Sequence, residues 1–550
     1  MHDPVLLHEY FDASVRKFPH KEALIFEDKR YTYQEIYNLA TVLAGKLKSL
    51  GLKRQDRVLI YMDNAPEVVI SFYATLKAGG IFTIINSGVQ VQKLSYIIGD
   101  CAPRVVVADS KKEERIIKAL QENPTECTLI WTGARENKAW GSNHLTEYHW
   151  DTLLSQKDND HPNHQAGTSH SPRVLDVDLA GLIYTSGSTG DPKGVMESHH
   201  NMISAARSII QYLENTPADI ILNTLPLSFD YGLYQAIMTF MFGGTLVLEK
   251  SFIFLTRTLN VIAKEKVTGF PIVPTIVAMI LKTIDLNSFD LQSLRYLTNT
   301  GAAFPIGHIR RLRKMLPWVD IYSMFGLTEC KRIAYLPPAL IDQRPDSVGM
   351  PMPNCEVFII DENGNPVDEG KTGELVVRGS NVMQGYWNAP EQTERTFKKV
   401  KGFREKLLFT GDYFRRDQEG FLYFLGRKDD MIKSRGERIS AKEIENIISQ
   451  IQGVTECAVI GVEDEILGQA VKAFVCRKTN TPLTTKDILV YCAQNLESFS
   501  IPKYIEFLEE LPKTDHGKTD KKSLQAEKPK PASPKTSRKN APTNQKKQAL

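Results

Sequence analysis

Residues 184–195 read YTSGSTGDPKGV, and this stretch decides how the rest of the chain is read. Gly187, Gly190 and Gly194 let a backbone approach an anion closely, Thr185, Ser186, Ser188 and Thr189 supply donors, and Lys193 supplies a full positive charge. An apolar run, 179–183, precedes the stretch and a helix-like segment begins near Asn201, the frame of a phosphate-handling loop. A Gly/Ser-rich linker does not carry a fixed Pro-Lys-Gly ending inside an apolar frame. A Walker A loop needs Gly-Lys followed by Ser or Thr. Here Lys193 stands between Pro192 and Gly194, so that reading fails.

Upstream of the loop, strands and helices alternate. Thr32 and Glu35 form a capping box, Ile36, Leu39, Ala40, Leu43 and Leu47 recur on one face, and Gly51 closes the unit, which predicts an amphipathic helix. A strand is expected at 57–62, then a helix through Lys77 ended by Gly79-Gly80, then strands at 81–85 and 104–108. Such alternation implies an α/β fold with a mostly parallel sheet covered by helices on both faces. The stretch 156–174 is rich in His, Asn, Ser and Pro and reads as an exposed loop. At 550 residues the chain exceeds one hydrophobic core. The charge-dense segment GRKDDMIKSRGERI, from Gly426, marks a junction. The expected division is therefore a domain at 1–425, a small α+β lid at 426–526 and a disordered basic tail at 527–550. In the small domain Ser440 and Glu443 cap a helix carrying Ile444, Ile447, Ile448 and Ile451, with strands at 456–462 and 471–476.

Composition narrows the class. Charged residues are 24% and hydrophobic ones 42%, an ordinary globular balance. The net charge of +3 comes from the tail, where residues 528–550 hold seven Lys/Arg and no acid. The body is mildly acidic and does not read as a nucleic-acid binder. Seven scattered cysteines without a CxxC pair point to reduced thiols in a cytosol, not to disulfides or zinc. No signal peptide, lipidation motif or membrane span is expected.

Further motifs follow in order: Asn299-Thr300-Gly301-Ala302-Ala303, Phe325-Gly326-Leu327-Thr328-Glu329, Thr410-Gly411-Asp412, Gly426-Arg427, and PKTDHGK ending at Lys518. Together with the loop at 184–195 they resemble the adenylate-forming superfamily of acyl-CoA synthetases, amino-acid adenylation domains and beetle luciferases. The resemblance covers roughly residues 5–525. It implies that Thr185, Ser186, Gly187, Ser188, Thr189, Gly190 and Lys193 hold ATP phosphates, with Phe325 and Gly326 at the adenine alongside Gly301 and Ala302. Phe325 stands where most members have Tyr, which keeps stacking and loses a hydroxyl. Thr328 would touch phosphate, Glu329 would hold Mg²⁺, and Asp412 with Arg427 would grip the ribose.

The same resemblance implies two half-reactions, acid plus ATP to acyl-AMP and pyrophosphate, then attack by a pantetheine thiol. Lys518 would serve the first and, after rotation about a hinge at Asp429, Lys433 and Gly436 would serve the second. The acyl pocket is implied at Phe229, Asp230 and Thr300, within a segment reading LPLSFDYG. Amino-acid adenylation domains carry Phe-Asp here, whereas fatty-acid and aryl-CoA synthetases usually do not. Asp230 therefore either meets a cationic substrate or turns away to cap a helix. CoA is the default acceptor. An amino-acid ligase charging a separate carrier protein through its phosphopantetheine is the alternative. The runs SFDYG, GLTEC, YLPP and RPDSVG look most like exosortase-associated acyl-CoA ligases.

Overall fold

The computed structural model describes residues 3–134, 145–155, 173–185, 191–283, 286–302, 304–428, 431–434, 437–464, 467–478, 481–496, 500–513 and 519–526. All of the expected loop at 156–174 except residues 173 and 174, and all of the tail at 527–550, lie outside them. The chain divides into two compact units, the first ending at Met431 and the second starting at Ile432. The strand Leu422–Arg427 carries the first unit's last sheet past the expected boundary at 425/426, because its register pairs Arg427 with Asp412.

Among its described residues the first unit has three sheets. One holds seven strands in the order Leu145–His149, Cys127–Thr132, Val105–Asp109, Arg57–Tyr61, Ile81–Ile85, Leu179–Thr185 and Lys193–Ser198. All neighbours are parallel except the last two, which form an antiparallel hairpin. A second, nine-stranded sheet contains Ile220–Asn223, Gly269–Ile272, Tyr296–Asn299 and Asp320–Phe325 at its parallel centre. The third is antiparallel and includes Thr372–Gly379, Lys406–Arg416 and Leu422–Arg427.

The helix predicted from Thr32 runs Tyr33–Ser49, and its capping box forms as read. Ile36, Ala40, Leu43 and Leu47 are buried by its apolar face, as the spacing requires. The next helix, Pro66–Ala78, is buried on nearly all sides and ends at left-handed Gly79. Its Phe72 packs edge-on against Phe82 of the seven-stranded sheet, while Tyr73 packs against Phe240 in the helix Asp230–Phe242. These two helices bridge the parallel sheets through a common apolar core.

The second unit is α+β, as expected. Strands Val454–Asp464 and Gly468–Arg477 form a long antiparallel pair, Tyr504–Leu508 joins it in parallel, and Ala441–Ile448 packs on the core through Ile444 and Ile448. Ser440 caps that helix by accepting from Glu443 N. The helix ends at Ile448, so Ile451 joins the core from the following turn. Among the described residues no helix is long and apolar enough to cross a membrane.

Candidate active site

The glycine-rich stretch departs from the expected frame at one point. A strand, Lys193–Ser198, stands between the loop and the helix, and the helix His199–Leu213 begins after it. The loop therefore connects two hydrogen-bonded strands, Thr185 facing Lys193 in the register, and no helix N-terminus follows it directly. Ser186, Gly187, Ser188, Thr189 and Gly190 lie outside the described residues.

The free edge of Lys193–Ser198 is covered by a second segment that sequence reading did not single out. Met196 N donates to the Gly385 carbonyl, Gln384 N to the Met196 carbonyl and Trp387 N to the Gly194 carbonyl. Trp387 Nε1 and Asn388 Nδ2 then donate to the Asp100 carbonyl, whose side chain accepts from the Tyr184 hydroxyl. Both ends of the hairpin are thereby fixed.

Tyr386, on this covering segment, joins the hairpin to the next motif. Its hydroxyl donates to Glu329 Oε1 at 2.7 Å, and Lys193 Nζ lies 5.7 Å from its ring centroid. Met383 N also donates to the Glu329 carbonyl. Burial, then the nearby Glu329 carboxylate, raises the Tyr386 pKa, so the phenol stays protonated and remains a donor. Lys193 and Glu329, far apart in sequence, are thus placed about one aromatic ring.

Phe325 ends the strand Asp320–Phe325, with its ring against Phe414 and Phe424 at 4.8 and 5.7 Å between centroids. Gly326 must be glycine for a reason of space: a Cβ there would sit 2.0 Å from the Lys331 carbonyl oxygen. The chain folds back tightly after Thr328 and Glu329. Cys330 and Lys331 both donate to the Leu327 carbonyl, Ile333 pairs with Phe325, and Lys331 takes a left-handed φ of 64°. Asp412 is buried on Lys406–Arg416, and Arg427, more exposed, donates to its Oδ1 at 3.4 Å.

Thr300 and Gly301 follow the strand Tyr296–Asn299, and Thr300 Oγ1 is buried without a partner among the described residues. Asn299 Nδ2 donates to the Ala302 carbonyl. Phe229 reaches over this segment, its Cζ 3.5 Å from where a Cβ on Gly301 would lie. Asp230 is the first residue of Asp230–Phe242, but Phe229 is the N-cap and makes no side-chain cap bond. The capping role expected as one option for Asp230 is therefore not formed. The carboxylate is 7% exposed and receives no hydrogen bond among the described residues.

Beneath these residues lies a buried charge cluster that the motifs did not announce. Lys331 is 1% exposed and Glu197 fully buried; Lys331 Nζ meets Glu197 Oε1 at 2.9 Å and the Thr328 carbonyl at 2.9 Å. Burial pushes the Glu197 pKa up to about 7; Lys331 pulls against it, and the charges of Asp230 and Glu329 add to the rise. Arg332 follows Lys331. The available signal was two basic residues inserted among Cys330, Ile333 and Ala334, a pattern that buries cations.

Three expected residues in the hinge and small unit, Asp429, Gly436 and Lys518, lie outside the described residues, as does Ala303. Lys433 is described in its backbone alone, on Ile432–Ser434. Lys513 and Thr519, flanking the Lys518 motif, pair as an antiparallel bridge.

Comparison with known proteins gives the family. Residues 11–387 match the family described as AMP-binding enzyme, and residues 443–518 match the AMP-binding enzyme C-terminal domain. The long-chain-fatty-acid–CoA ligase of Bacillus subtilis (strain 168) is 31% identical over 529 residues, spanning 93% of this chain and 92% of that protein. The indoleacetate–CoA ligase of Aromatoleum aromaticum is 31% identical over 518 residues, spanning 94% and 96%. Among solved structures, the anthranilate CoA ligase AuaEII in complex with anthranoyl-AMP has a TM-score of 0.83 at 26% identity, over 95% of this chain and 97% of that one. A match across most of the chain, together with the shared fold, means that this protein belongs to the AMP-binding, adenylate-forming enzyme family.

Proposed function

We propose that the protein is an AMP-forming acid–thiol ligase that activates a carboxylic acid with ATP and transfers the acyl group to CoA. The observation that carries this reading is the placement of Lys193 and Glu329 about Tyr386. A cation and a carboxylate so arranged suit a triphosphate and its metal, because phosphoryl transfer is catalysed mainly by positioning and charge stabilisation. In the first step a carboxylate oxygen attacks the α-phosphorus, the bond to the bridging oxygen breaks, and pyrophosphate leaves. In the second, a thiolate attacks the acyl carbonyl and AMP leaves.

Glu329 fits Mg²⁺ as a single oxygen ligand, since one carboxylate oxygen is taken by Tyr386 and the other is not. Among the described residues no group of three or more His, Cys, Asp or Glu could hold a metal ion. That donor set suits a hard cation whose other ligands are substrate phosphates and water. The phosphate roles of 185–190 and Thr328, the adenine roles of Phe325, Gly301 and Ala302, and the ribose role of Asp412 with Arg427 complete the nucleotide site. Lys518 from the small domain serves acyl-AMP formation, and rotation about Asp429 brings Lys433 and Gly436 to the thiol step. The cysteines take no part: burial pushes Cys101 and Cys127 up to about 12, out of the nucleophilic range. A reduced, cytoplasmic setting fits these thiols, and kinship with exosortase-associated ligases fits the local runs quoted above.

CoA ligases among the relatives support CoA as acceptor, and the amino-acid alternative is less favoured. Its ground was Asp230, yet the buried cation of Arg332 is close enough to act with Asp230 on the same Tyr234 phenol. The test is pyrophosphate release measured over fatty, aryl and amino acids, with and without CoA. Release with a carboxylic acid, and thioester only when CoA is added, is the expected result; release with amino acids alone would replace the proposal by the carrier-charging reading.

A further inference from the structure

Arg332 is the unexplained cation of this site. It is 4% exposed, its guanidinium lies 4.8 Å from the Tyr231 ring centroid, and its Nη1 donates to the Lys331 carbonyl at 2.9 Å. Its Nε is buried without an acceptor, and among the described residues no carboxylate lies within 4.0 Å of it. Lys331, by contrast, is satisfied by Glu197 and the Thr328 carbonyl. A buried donor left unmatched is costly, more so for a charged group, so the omission calls for a partner that arrives from outside.

The surroundings show where such a partner sits. Tyr231, under the guanidinium, is pinned by its hydroxyl to the Thr298 carbonyl and Oγ1 at 2.7 and 2.6 Å, at the end of the strand leading to Thr300 and Gly301. It also stands edge-on to Phe229, which is 37% exposed and covers Gly301. Asp230 immediately precedes Tyr231, is 7% exposed and receives no hydrogen bond among the described residues, and Thr300 Oγ1 is buried and unmatched. One donor cation, one acceptor anion and one hydroxyl are thus linked through Tyr231 and Phe229 to the segment proposed for the acyl group.

We infer that Arg332 and Asp230 read a neutral polar substituent, a hydroxyl or carboxamide, on the acid that the enzyme activates. This rests on the ligase reading above and deepens it. The charge balance selects the class. Arg332 and Asp230 offer the guest one cation and one anion, neither paired among the described residues, so a neutral guest that both donates and accepts satisfies each group without adding charge. A second carboxylate would face Asp230, and an ammonium would face Arg332. An unsubstituted alkyl or aryl chain would leave both unmatched, and pockets built to hydrogen-bond a substituent reject analogues lacking it far more strongly than apolar pockets reject an added methylene.

The test is kcat/KM for pyrophosphate release by the full-length enzyme across two matched sets. One is butanoate, 3-hydroxybutanoate, succinamate, succinate and 4-aminobutanoate. The other is benzoate, 3-hydroxybenzoate, 3-carbamoylbenzoate, isophthalate and 3-(aminomethyl)benzoate, with dodecanoate alongside. In at least one set a neutral polar member should exceed its unsubstituted partner by about 100-fold or more. Arg332→Met, which keeps an unbranched apolar stem, should reduce that ratio to within about tenfold by losing the polar acid and gaining the unsubstituted one. The inference is overturned if an unsubstituted, dicarboxylic or ammonium-bearing acid is best, or if folded Arg332→Met keeps the wild-type ratio. The wild-type ranking decides the matter by itself should the variant not fold. Pyrophosphate release from no acid at all would remove the ligase reading, and this inference with it.

Discussion

Two buried glutamates, one in each unit, face lysines and respond in opposite ways. Glu445 of the small unit accepts from Val459 N at 3.0 Å and pairs with Lys521 at 2.7 Å and Lys442 at 3.5 Å. Burial raises its pKa, but the two lysines and the hydrogen bonds outweigh it, and the carboxyl lies below its ordinary value. Glu197 of the large unit meets one lysine and two neighbouring carboxylates, and burial lifts it to about 7. A fully satisfied network fixes a fold, whereas one held short of satisfaction marks a site where charge is to be used. The left-handed φ of Lys331 agrees, because such strain persists only where surroundings impose it.

The largest effect expected from this contrast is on stability. Glu197→Gln leaves Lys331, whose side chain is 1% exposed, buried without a carboxylate and should cost the large unit about 3–5 kcal/mol, whereas Glu445→Gln leaves Lys521 and Lys442, 27% and 24% exposed, able to reach water and should cost about 1–2 kcal/mol. Calorimetry of both variants measures this. Equal losses would mean that the two networks do the same job.

Next comes the catalytic share of the small unit, which the comparison leaves to a residue outside the Glu445 network. Lys518→Ala should slow acyl-AMP formation by about two orders of magnitude, near 3 kcal/mol, and spare transfer from synthetic acyl-AMP to the thiol. Equal loss in both half-reactions would sink the two-conformation scheme.

Sequence patterns made some of this legible and hid the rest for physical reasons. Tyr33–Ser49 and Ile81–Ile85 were readable because their period and caps are local. Lys193–Ser198 was not, because its six residues become a strand only by pairing with Leu179–Thr185 on one edge and 384–387 on the other. The motifs at 325–329 and 410–412 could be quoted residue by residue from the sequence, while no motif singled out Glu197. Its burial depends on Lys331, a partner remote in sequence, and nothing near either residue betrays the pairing.

A smaller effect, near 2 kcal/mol, tests the sign of the contrast. A carboxyl whose pKa is raised on folding weakens the fold as pH climbs from its ordinary 4.5 to about 7, since only the unfolded chain ionises freely there. Wild type should therefore lose about 2 kcal/mol relative to Glu197→Gln between pH 5 and 7. Glu445, being depressed, gives the reverse: its stabilisation is present above 4.5 and is lost as pH falls through the lowered value. Parallel urea titrations of wild type and Glu197→Gln at each pH read the difference, and coincident curves would show Glu197 ionised throughout.

The smallest predicted effect concerns the link between the glycine-rich hairpin and Glu329. Tyr386→Phe keeps the ring beside Lys193 and deletes only the hydroxyl donating to Glu329 Oε1. A hydrogen bond to a charged acceptor contributes about 1.5 kcal/mol, so acyl-AMP formation should fall about tenfold, with a higher Mg²⁺ requirement and an unchanged thiol-transfer step. On the proposed reading the hydroxyl orients the Glu329 carboxylate, which would make Tyr386 a positioning residue. Raising Mg²⁺ should therefore recover part of the lost rate, because a freely turning carboxylate still binds the ion, less often in the productive pose. A Tyr386→Phe enzyme with a wild-type Mg²⁺ profile would break the link between the two motifs and leave Glu329 to act on its own.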